Sequence, residues 1–158
     1  MTPPEISIKM ILSAWQAQNA QVDKLIEKLT DEQWMNDTAS GRNSGIYLLG
    51  HLVAVNDGMI SILGFGERLH PELETAFLFN KDKSGQLMPS LANLKKYWKE
   101  INATLTANME LMAADEWFTR HTKVSEEDFA KEPHRNKLNI IMNRTIHQSY
   151  HAGQLAFL

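Results

Sequence analysis

Apolar residues recur every three or four positions along this chain, in four long runs separated by polar stretches. That period is helical. The first run predicts a helix over Ile6 to Leu29. Pro3 and Pro4 precede it, and Ile8, Ile11, Leu12, Trp15, Val22, Leu25, Ile26 and Leu29 share one broad stripe. Thr30 stands three places before Gln33, the spacing of a capping box, and predicts a short helical start carrying Trp34. Asp37 to Asn43 is rich in Asp, Ser, Gly and Asn and reads as a loop.

Ser44 is placed to cap a second long helix running to about Leu63, with Leu48, Leu49, Leu52, Val55, Met59 and Leu63 as its stripe. Gly64-Phe-Gly66 ends it. Glu67 to Pro89 is a long connection with one helical turn expected near Pro71 to Phe77, since proline suits a first helical position. Ser90 caps a third helix, Leu91 to about Ala113, along which Leu91, Leu94, Trp98, Ile101, Leu105, Met109 and Met112 keep three-four spacing. Asp115 to Asn136 is a second long connection, with Trp117 and Phe118 expected against the core and a turn at Ser125 to Asp128. The last helix is expected from near Asn136 to the end, and an end on Leu158 without a polar tail leaves room for a longer natural chain. No run alternates apolar and polar residues long enough for a sheet. Four helices of about 20 residues, each near 30 Å long, joined through two long links, predict an all-α fold: a four-helix bundle with long crossover connections. A length of 158 residues predicts one domain, 1–158.

Composition narrows the chemistry. The net charge is −3, with no basic stripe to attract nucleic acid or an anionic membrane. There is no cysteine, so a ligand set must use His, Asp or Glu, and any catalytic thiol must arrive with a substrate or cofactor. Met-Thr-Pro-Pro-Glu is not the start of a signal peptide, and no uninterrupted apolar stretch of bilayer length is evident, so the expected location is the cytoplasm.

His147 and His151 lie four residues apart, one above the other on the last helix, so two imidazoles can aim at one shared atom. A third ligand must come from another helix. His51, in the first half of the second helix and at the edge of its stripe, is the natural partner. Three neutral imidazoles suit Zn²⁺, Ni²⁺ or Fe²⁺ and leave a coordination position open, the pattern of a catalytic site. The residues alone leave a second reading open, in which these are hydrogen-bonded core histidines. Gln148 stands where the zincin helix places its Glu base, which excludes a peptidase of that type. Arg144, three residues before His147, falls near the same helical face; it reads as a holder for an anionic substrate group or as one side of a surface ion pair. Tyr47, Asn56, Tyr150 and Gln154 are candidates for hydrogen bonds behind the ligands, and His70, His121 and His134 are expected at the surface.

Leu49-Gly50-His51-Leu52 on the second helix, with His147-x-x-x-His151-Ala-Gly-Gln154-Leu155 on the fourth, resembles the DinB/YfiT-like superfamily of metal-dependent enzymes. Leu29-Thr-Asp-Glu-Gln-Trp34, the stretch from Ser44 to His51, and Ser90-Leu-x-x-Leu-x-x-Tyr-Trp98 extend the resemblance over nearly the whole chain. It implies a four-helix bundle, often a homodimer, that binds a divalent metal, commonly zinc or nickel, through His51, His147 and His151. Some relatives transfer or isomerise substrates with a low-molecular-weight thiol such as bacillithiol, mycothiol or glutathione. Several carry Glu after the first histidine of the pair, where this chain has Gln148. The implied function is metal-dependent thiol transfer to an electrophilic small-molecule substrate. A metal-dependent hydrolase and a non-catalytic metal-binding or stress-response module are the alternatives.

Overall fold

The computed structural model describes residues 1–158. The chain is all-α, with seven helices: α1 (Pro3–Lys28), α2 (Asp31–Met35), α3 (Gly45–Ile62), α4 (Leu73–Phe77), α5 (Leu91–Leu111), α6 (Glu126–Lys131) and α7 (Lys137–Leu155). Four of them are long. α7 packs along α1 and also along α3, and α3 packs along α5, so the second and fourth long helices are neighbours.

Small polar residues start most of these helices by accepting hydrogen bonds from otherwise unpaired amides. Thr30, Ser44, Ser90, Ser125 and Asn136 cap α2, α3, α5, α6 and α7. α1 begins three residues earlier than its apolar pattern suggests. Thr2 and Glu5 form a capping box across Pro3 and Pro4, which sit inside the first turn where a missing N–H costs nothing. α7 stops at Leu155 instead of running to the end. Its last residues turn back, and the Leu158 carbonyl accepts from Gln33 Nε2 at 2.8 Å, tying the C-terminus to α2.

One core cluster spans all four long helices, and all four tryptophans are buried in it. α3 is its axis. It is apolar and long enough to cross a bilayer by length and composition, but 72% of it is buried inside the protein. A helix buried on most sides needs no single stripe: Asn56 and Asp57 are enclosed while Val55, expected on the stripe, is half-buried. Asp57 is held by the amides of Leu69 at 2.8 Å and His70 at 3.1 Å, which anchors the first crossover to α3. Burial raises the Asp57 carboxyl pKa, and those two hydrogen bonds oppose the rise.

In the second crossover, the turn Glu116–Phe118 buries Trp117 but leaves Phe118 at the surface, 39% exposed, contrary to expectation. The turn lies against α7, and the indole is the side chain it gives to the core. The expected turn at Ser125 lengthens into α6.

Candidate metal centre

The centre is built from α3 and α7. His51, His147 and His151 each offer one ring nitrogen, and these atoms lie within 4.8 Å of one another. His51 Nε2 is 3.1 Å from His147 Nε2, and His151 Nε2 is also 3.1 Å from it. Nitrogens bound to one ion at about 2.0–2.1 Å sit about 2.8–3.4 Å apart at octahedral to tetrahedral angles, so the two spacings to His147 suit a shared cation.

Hydrogen bonding on the far side of two rings fixes which nitrogen faces inward. His51 Nδ1 is 2.8 Å from the Phe77 carbonyl oxygen, which can only accept, so Nδ1 carries the proton. His151 Nδ1 is 2.7 Å from Gln154 Oε1, with the same consequence. Both rings therefore direct Nε2 lone pairs at His147. A single proton on His147 Nε2 would have to serve both lone pairs and would leave Nδ1, which is buried and has no protein partner, an unpaired acceptor. A cation among the three nitrogens engages every lone pair, and the residues present fit one.

The electrostatics agree. All three imidazoles are half-buried, and desolvation is the largest cause lowering the pKa of each. His147 falls to about 4, with the charged forms of His151, His51 and Arg144 adding to the burial effect. The rings are neutral near pH 7, the form that ligates.

Of the expected supporting residues, only Gln154 bonds a histidine. Tyr47 stacks on His51 at 6.4 Å while its hydroxyl donates to the Asn80 carbonyl at 2.8 Å, and Tyr150 meets His151 edge-on at 5.2 Å from an exposed position. Asn56 belongs elsewhere: its Nδ2 donates to Asn102 Oδ1 at 3.0 Å and Gln148 Oε1 at 3.3 Å, and Gln148 Nε2 donates to Asn19 Oδ1 at 2.8 Å. This amide chain crosses the interior and touches all four long helices. Gln148, 1% exposed, is thus a structural tie.

Arg144 is half-buried and has no carboxylate within ion-pair distance, so the expected alternative of a surface ion pair is not what the fold shows. His121, expected at the surface, is buried, with Nδ1 accepting from the Lys123 amide at 3.2 Å. His70 is half-buried, stacked on Tyr97 at 3.7 Å between Glu72 and Glu100, and His134 is exposed. None of these three joins the cluster. The largest cleft, about 550 Å³, lies between α1 and α5 rather than at the histidines.

The Phe77 carbonyl carries no side-chain signal, and the amide chain joins residues scattered from Asn19 to Gln148, so neither had a local pattern to reveal it. No curated protein matches the sequence. The model of the DinB family matches residues 6–158, and with the histidines and helices placed as described, the chain belongs to the DinB family.

Proposed function

We propose that this protein is a divalent-metal-dependent enzyme that transfers a low-molecular-weight thiol to an electrophilic carbon. The observation that carries the reading is the convergence of three neutral imidazole nitrogens from two helices, with no carboxylate in the cluster. Zinc or nickel suits such a donor set. A divalent ion held by His51, His147 and His151 would supply Lewis acidity that favours the thiolate form of a small thiol, which is the nucleophile.

The chain's own residues orient and exclude. The Phe77 carbonyl and Gln154 hold the His51 and His151 rings with Nε2 inward. Three protein ligands on one ion would leave a coordination position for a substrate atom. With no cysteine in the chain, the sulfur comes from the thiol substrate. The sulfur–carbon bond forms as the leaving group departs with its electron pair, and the thiol proton passes to water, because Gln148 accepts none and is enclosed in the amide chain.

The test is a transferase assay with a panel of small thiols, comparing metal-loaded with metal-stripped protein. Metal-dependent turnover with at least one thiol supports the reading, and none with any thiol removes it. The enclosure of Gln148 also favours a second reading, a metal-binding module without turnover. In that case metal binds stoichiometrically but no thiol or water exchanges at it.

A further inference from the structure

The guanidinium of Arg144 is the one strongly basic group beside the histidine cluster that the fold leaves without a partner. It lies three residues before His147, about 4.5 Å along the axis of α7 and about 60° round it. Its charge acts on both His51 and His147. Its Nε atom is buried and makes no hydrogen bond, while the two terminal nitrogens bond no protein group and stay open to solvent, where a ligand can reach them. A half-buried cation is costly unless something of opposite charge meets it. Burial lowers the pKa of Arg144, the direction expected of a cation that has lost water and gained no partner.

Other orphaned polar atoms have milder explanations. Trp15 Nε1 and Trp34 Nε1 are neutral donors within the apolar core, and Asn102 Nδ2 borders the cleft between α1 and α5. Only Arg144 joins a formal charge without a protein partner to a place beside the candidate metal centre.

We propose that Arg144 is the anchor for the substrate's carboxylate: the ligand is a small carboxylic acid whose reactive end reaches the three histidines while its carboxylate pairs with the guanidinium fork. A planar guanidinium matches a carboxylate through two parallel hydrogen bonds. A single cation matches a single carboxylate in charge. The position of the reactive end rests on the metal-dependent reading above. The pairing with Arg144 does not.

The experiment uses two matched thiols, 3-mercaptopropionate and its uncharged methyl ester, binding to the cobalt-loaded full chain. Cobalt stoichiometry is measured on the same samples, and thiol binding is followed by the cobalt–sulfur absorption. Wild type binds the carboxylate at least tenfold more tightly than the ester. Arg144→Gln abolishes the preference, and Arg144→Lys, which keeps the charge but not the fork, retains part of it. Equal affinities in wild type, or an undiminished preference in Arg144→Gln, overturn the proposal.

A second arm needs no metal. Propionate raises the Tm of the metal-free wild type above chloride at equal ionic strength, and leaves metal-free Arg144→Gln unmoved. Phosphate in place of propionate reports whether the anchor prefers carboxylate. A larger rise with phosphate overturns the assignment of substrate class. If cobalt fails to bind while propionate still stabilises wild type alone, the metal reading has failed and the carboxylate anchor has not. Without added anion, Arg144→Gln melts close to wild type, because the guanidinium makes no hydrogen bond or ion pair with the protein. A clearly lower Tm would assign Arg144 a structural role and overturn the proposal.

Discussion

His51 Nδ1 donates to the carbonyl oxygen of Phe77 across 2.8 Å, so a ligand on α3 is aimed by the main chain of the crossover that follows it. Gly50 makes this approach possible. A methyl carbon at Gly50 would overlap the Phe77 ring, which is fully buried. We therefore expect Gly50→Ala to push α4 away and release the His51 ring. Overpacking costs about 1–3 kcal/mol, and loss of the ring's supporting hydrogen bond costs about 10–100-fold in metal affinity. Thermal melts and chelator competition read the two effects separately. Unchanged metal affinity in a folded variant would show that the Phe77 carbonyl does not orient His51.

The three histidines are expected to be equal partners in one site. Elemental analysis of purified wild type should give one divalent ion per chain, and His151→Ala should lose it. Gln154→Ala should behave differently, since Gln154 touches only the far nitrogen of His151. It should keep full stoichiometry under saturating metal with an affinity about 10–100-fold weaker. Retained metal in His151→Ala would mean that the ion sits elsewhere.

Metal removal should lower stability by mass action. At a free metal concentration about 100 times Kd, binding contributes about 2.7 kcal/mol, which for a chain of this size shifts Tm by about 5–10 °C. Adding EDTA should reverse that shift in wild type and do nothing in His151→Ala.

The pH dependence of the metal-free protein follows from the same rings. Burial first, and neighbouring positive charge second, lower all three histidine pKa values in the folded state, that of His147 to about 4. The unfolded chain titrates near 6.5. Between about 4 and 6.5 the unfolded state binds more protons, so stability rises with pH across that window and is fully present above it. Urea midpoints of the stripped protein should fall as pH drops from 7 to 4.5. Replacing His147 by Gln should flatten that slope. The same protons compete with metal, so affinity should fall over the same range.

The helices and the ligand trio were legible in the sequence because each has a local signature. Serine or threonine ahead of a three-four apolar run marks α2, α3 and α5, and His147 with His151 shows a metal-binding face within one helix. What escaped is non-local. Asp57 is buried because amides twelve and thirteen residues on close over it. His121 looked exposed because its neighbours are polar, yet the crossover folds it inward, where the Thr122 amide bonds the Ile62 carbonyl at 3.1 Å. Thr2 gives no cap signal in the apolar pattern because Pro3, Pro4 and Glu5 stand between it and the first apolar position.

Gln148 is the sharpest case, because it follows a ligand directly and yet serves the interior. Its amide links Asn19 on α1 to Asn56 on α3, which itself reaches Asn102 on α5. Gln148→Leu should remove the tie and leave polar atoms unpaired, at about 1–3 kcal/mol. In combination with Asn56→Leu the losses should be less than additive, since the two share one network. Gln148→Glu gives the sign test. A carboxyl at this enclosed position should have a raised folded-state pKa, so its stability relative to wild type should decline as pH rises from 5 to 8 in metal-free protein. A Gln148→Glu variant that tracks wild type across that range would place the side chain in solvent or among the histidines, and would restore this position as a candidate base.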